Sequence, residues 1–295
     1  MRRQFQWMHG GGALALLLAV ATAHAHGDFH TLITAANQDI EKAPTNPELY
    51  LRRGELFRLH QQFDSAQKDI DAAAALALGL PGLDLSRARL LLDTDWPLSA
   101  RACLDRFLGR ITNHTEAFTL RSRAWARLGQ PLYAAEDLSR AIAVTPEGAP
   151  DLYIERARAL AEAGPDQLEA ALRGLDDGMK KMGSLVTLQL TAIDLELRRK
   201  NHDAALARID VVMQRSPRKE SWLARKGEIL LQAGRTEEAR QAYEAALAAL
   251  NTLPPVRRNV PAVRDLERRI RLEIDHLSGA ASTPRKDNAS ATPRP

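Results

Sequence analysis

The chain has 295 residues, 45% of them hydrophobic and only 5% aromatic, so the core it buries is built mainly from Ala and Leu, as close helix packing prefers. Its formal charge of +4 includes Arg2 and Arg3; without that pair it falls to +2, with both signs interspersed, which gives no case for a nucleic acid or a membrane surface as partner. The one cysteine, Cys103, excludes an intrachain disulfide and reads as a packed small residue, with a redox or cross-linking thiol as the alternative.

Arg2, Arg3, an apolar run from Ala13 to Ala23 and the small-residue box Ala23-His24-Ala25 read as a secretory signal peptide over 1–25, cut after Ala25. The run is short of the roughly 20 residues a helix needs to cross a bilayer, so stable membrane insertion is not expected. Export to the periplasm, or alternatively out of the cell, is the expected fate. Residues 26–45 form a leading helix, with Asp28 as its cap, Ile33, Ala36 and Ile40 on one face, and Pro44 closing it.

Residues 46–250 are periodic. An Ala recurs at Ala66, Ala100, Ala134, Ala171, Ala205 and Ala239, in steps of 34, 34, 37, 34 and 34. Before each lies a small residue, at Gly54, Ala88, Ser122, Ala157, Ala192 and Gly227, where two helices must approach closely. One helical turn further on comes a large apolar side chain, at Phe57, Leu91, Trp125, Leu160, Leu195 and Leu230. Four residues after each Ala stand Ile70, Leu104, Leu138, Leu175, Ile209 and Tyr243. Six helical hairpins follow, near 46–80, 81–114, 115–148, 149–183, 184–217 and 218–250. The second lacks a turn glycine, with "DTDWPLSA" in its place, and the fourth has a lengthened turn at "AGPDQLEA". Residues 251–277 give a Pro-broken connector and a capping helix with Val263, Leu266, Ile270, Ile274 and Leu277 on one face. Residues 278–295, rich in Ser, Thr, Pro, Ala and Asn without periodicity, read as a disordered tail.

In these columns the chain resembles the tetratricopeptide repeat family, most closely in Glu48 to Leu76, Glu116 to Pro146 and Glu220 to Leu247. The resemblance implies an all-α protein, an α-solenoid of about six hairpins with an N-terminal leading helix and a C-terminal capping helix. It also implies a concave groove lined by the first helices, which holds another protein or a peptide.

Repeats two, three and four carry Arg87-Ala88-Arg89, Arg121-Ser122-Arg123 and Arg156-Ala157-Arg158 around the small residue. Residues two apart on a helix differ by about 200° in direction, so the two arginines of a triplet cannot share a face. By the resemblance, the residue after the small one points into the groove. Arg89, Arg123 and Arg158 would then form a basic ladder, with Glu55 and Glu228 at its ends and Arg58 and Arg127 nearby. Guanidinium forks suit an acidic segment of another envelope protein. The alternative is that these arginines only pair with Asp and Glu of neighbouring helices.

Phosphate loops, nucleophile elbows, HExxH and paired-Cys motifs do not occur, so the expectation is a binding protein with no cofactor and no catalytic residue, against an enzyme with no recognisable motif. His26 and His30, at the start of the processed chain, offer a thin ligand set for Cu or Zn and make metal handling a second alternative.

Overall fold

The computed structural model describes residues 29–281, and among these residues every regular element is a helix. The expected leader, His26 and the Asp28 cap lie outside the described residues, as does the tail beyond 281. The chain divides into two compact units, with the boundary between Leu152 and Tyr153.

The first unit opens with α1 over 29–42, whose Ala36 and Ile40 are buried and whose Phe29 ring stacks on His60 with centroids 5.4 Å apart. Three antiparallel hairpins follow: α2 (Pro47–Leu59) with α3 (Phe63–Leu76), α4 (Pro81–Asp93) with α5 (Pro97–Arg110), and α6 (Thr115–Arg127) with α7 (Pro131–Ala143). Pro stands in the first turn of α2, α4, α5 and α7, where a missing N–H costs nothing. Helix α8 (Pro150–Ala163) spans the unit boundary.

The second unit continues with the short 3-10 turn η1 (Pro165–Gln167) and α9 (Leu168–Met182), then pairs α10 (Val186–Arg198) with α11 (His202–Arg215) and α12 (Glu220–Gln232) with α13 (Thr236–Asn251). The expected connector contains a single helical turn, α14 (Pro255–Arg258). Helix α15 (Pro261–Ala281) packs on α13, with Val263 and Ile270 buried in the same cluster as Tyr243, Ala246 and Leu250. It runs four residues into the segment expected to be tail, and the first proline of that segment, which would end a helix, comes only at Pro284.

The recurring Ala column is the hairpin contact. All six residues are at most 1% exposed, so no larger side chain fits between the paired helices. At Gly54 an added Cβ would lie 3.2 Å from the Asp69 Cβ, and at Gly227 it would lie 2.7 Å from the Tyr243 ring. The first helix of each of five repeats ends alike. A residue with positive φ, at Gln61, Asp95, Gly129, Lys200 or Gly234, is followed by an N–H that bonds five residues back. This is the left-handed helix cap that glycine favours. Asp95, at φ 60, takes the place of the glycine missing from the second repeat.

Counting back from that turn residue corrects the fifth repeat. In the others, the fourth with its Gly164 included, the small residue lies seven before the turn and the large one four before it. In the fifth those places belong to Ile193 and Glu196, not to Ala192 and Leu195. Ala192 and Leu195 are themselves buried, so apolar character alone did not distinguish two registers one residue apart.

Candidate peptide-binding groove

The two arginines of each triplet in the first unit part company. Arg53, Arg87 and Arg121, before the small residue, turn to second helices. Arg53 forks onto Asp69 with Nε–Oδ2 at 2.8 Å, and Arg121 forks onto Asp137 at 2.8 and 2.7 Å while reaching Asp105 at 2.9 Å. Arg87 lies 3.6 Å from Asp71. In the second unit Lys226 makes the matching bridge to Asp210 at 2.7 Å. Spacings of 16 residues recur in all of these, so this row ties first helices to their own or the preceding second helix.

The residues after the small one face the other way. Glu55 and Arg58 of α2, Arg89 and Asp93 of α4, and Glu116, Arg123 and Arg127 of α6 line one cavity of about 270 Å³. Its walls are first helices only. The cavity brings together five of the sequence-predicted residues, Glu55, Arg58, Arg89, Arg123 and Arg127; the sixth, Arg158, is exposed on α8 in the second unit. Glu228, also in the second unit, accepts from Arg225 at 2.7 Å.

Pairing fills much of this cavity's hydrogen-bonding capacity. Arg89 donates Nε and Nη2 to the two oxygens of Glu116, both at 2.7 Å, and lies 3.9 Å from Glu55. Arg58 forks onto Glu55 at 2.9 and 2.7 Å and also bonds Asp93. Arg127 donates to the Leu92 carbonyl and lies 3.7 Å from Asp95. Arg58 and Arg89 are thus paired with carboxylates and also line the cavity. Their hydrogen bonds to carboxylates raise both guanidinium pKa values, and the Arg89 fork holds the Glu116 carboxyl below the ordinary carboxylate range. Four guanidinium groups and three carboxylates line the cavity.

Asp93 and Glu116 were not among the residues picked from the sequence. A signal for Glu116 was present: with Leu120, Arg123 and Arg127 it follows the i, i+4, i+7, i+11 pattern of one helical stripe. His30 is exposed on α1, its carbonyl accepting from the Thr34 hydroxyl at 2.8 Å. Among the described residues no group of three or more His, Cys, Asp or Glu is placed to hold a metal ion, and no helix is long and apolar enough to cross a membrane. Cys103 is buried, and its Sγ accepts from Arg106 at 3.2 Å.

Residues 155–261 match the family model of the tetratricopeptide repeat-like domain. No curated protein matches the chain in sequence. Among solved structures, the C-terminal part of a TPR repeat-containing protein from Cytophaga hutchinsonii is similar, with a TM-score of 0.62 at 15% identity over 78% of this chain and 93% of that one. The type IV pilus biogenesis factor PilW aligns with a TM-score of 0.54 at 19% identity over 70% of this chain and 94% of its own. YrrB, described as a TPR protein with an unusual peptide-binding site, aligns with a TM-score of 0.52 at 16% identity over 68% of this chain and 98% of its own. The Ala columns, the left-handed turns, the family match and these structures agree: this chain has the tetratricopeptide-repeat fold.

Proposed function

We propose that the chain is a non-catalytic scaffold or adaptor, exported to the cell envelope, that holds an extended acidic segment of another protein against the first helices of its first unit. The observation that carries this reading is the cavity between α2, α4 and α6, which first helices alone line with four arginines, two of them forked onto partly exposed glutamates. Glu116 is 46% exposed, so an incoming carboxylate can exchange with it for the Arg89 fork while Glu116 moves into water. YrrB, a protein of similar fold described by its peptide-binding site, supports a peptide as the ligand. Export rests on the sequence of residues 1–25 and predicts a mature N-terminus at His26; a mature protein that still begins at Met1 would contradict it.

Calorimetric titration with an acetylated, amidated hexaglutamate tests the binding. The full mature chain should bind it with an affinity that falls as salt is raised. Arg89→Ala with Arg123→Ala should weaken binding by at least about fivefold while the helical circular dichroism stays unchanged, since removing a charge-assisted hydrogen bond costs about 1 kcal/mol or more. Equal affinity in the double variant would reject the groove as the site.

A further inference from the structure

Near-balance of charge over the whole chain does not extend to the connector between α13 and α15. Residues 245–264 contain no Asp or Glu but three arginines, Arg257, Arg258 and Arg264. Leu253 and Val263 anchor the connector's two ends in the core of the second unit. Of the nine residues between these anchors all but Arg258 are exposed, and six are apolar: Pro254, Pro255, Val256, Val260, Pro261 and Ala262. Val256 is 85% exposed and Val260 45%, so the fold itself gives this apolar tip little cover.

The nearest acids of α15 do not answer the tip's charge. Asp265 lies 3.5 Å from Arg268, and Glu267 takes Arg271 at 2.7 Å as well as Arg258 at 3.2 Å. Arg257 and Arg264 are exposed and have no ion pair among the described residues. Exposed apolar side chains set between unpaired cations suit an anionic lipid interface, where the cations meet head-group phosphates and the apolar groups enter the boundary beneath them. A protein partner would have to supply a pocket shaped to this projecting tip, whereas a fluid interface closes around it. Pro255 and Pro261, the first residues of α14 and α15, fix φ at both places, so docking costs the tip little conformational freedom.

We propose that this tip docks on an anionic lipid surface, with Val256 and Val260 entering the interface and Arg257 and Arg264 meeting lipid phosphates, independently of the basic groove. Cosedimentation of the full mature chain with vesicles tests it. Vesicles of phosphatidylcholine and phosphatidylglycerol in equal parts should carry the chain down, less so as salt is raised, and vesicles of phosphatidylcholine alone should leave it in solution. Arg257→Gln with Arg264→Gln should weaken binding to the mixed vesicles by about tenfold or more, since each arginine near such a surface contributes about fivefold. Val256→Ser with Val260→Ser should weaken it by about threefold or more, with the helical circular dichroism retained in both variants. Arg89→Ala with Arg123→Ala should bind the vesicles as the parent chain does. Absence of binding to the mixed vesicles, equal binding to both vesicle types, or undiminished binding in either connector variant would overturn the proposal. So would hexaglutamate binding that depends on Arg257 and Arg264, because the tip would then serve an acidic protein.

Discussion

Glu196 occupies the place where the other repeats put Phe57, Leu91, Trp125, Leu160 and Leu230, and it is 5% exposed. Its Oε2 has no hydrogen-bond partner among the described residues, and Arg208 and Arg199 approach it no closer than 3.6 and 3.8 Å. A buried carboxylate with distant partners gains less than it loses on leaving water. Glu196→Leu, which restores the column, should raise the urea midpoint and stabilise the chain by about 1 kcal/mol or more; a lower midpoint would mean that the pairing with Arg208 outweighs desolvation. Glu116 behaves in the opposite way. Its folded pKa is lowered, chiefly by the hydrogen bonds from Arg89, so its contribution to stability is fully present above the ordinary carboxylate value of about 4.3 and is lost as pH falls through the lowered one. A carbon-detected titration should find the Glu116 carboxyl titrating below that value, and in Arg89→Ala it should move back up.

Helix pairing was legible in the sequence wherever the local rules agree. The Ala column shows because a helix contact this close admits almost nothing else, and the prolines and turn residues mark each restart. Register in the fifth repeat was not legible. Ala192 and Leu195 imitate the pattern one residue early, and only the turn at Lys200, a non-glycine residue with positive φ, sets the true alignment. The connector was read without its one-turn helix α14 because two adjacent prolines suggest interruption, whereas Pro255 sits at the first helical position, where proline is favoured. Helix α15 completes the last hairpin by covering α13. Ile270, 1% exposed, is the centre of that contact. Ile270→Ala should therefore destabilise the protein by about 2–5 kcal/mol in denaturant unfolding, and a change within 0.5 kcal/mol would show that the last hairpin does not depend on α15.

At the scale of the whole molecule, the candidate groove follows from which residues the hairpins leave on their first-helix side. That much of the site was readable from the triplets, since two positions around one crossing residue must face apart, and Arg121 and Arg123 do so. Which acids answer which arginines was not readable, because Glu116 and Asp93 come from neighbouring helices and meet Arg89 and Arg58 only once the hairpins stack. An acidic ligand sits against α2, α4 and α6 if the groove binds it, and paramagnetic relaxation tests this most directly. Hexaglutamate carrying a nitroxide should broaden the amide signals around Glu55, Arg89 and Arg123 along α2, α4 and α6 and spare those around Gly109 and Ala143. Broadening centred on α5 and α7, or spread evenly over the chain, would contradict it.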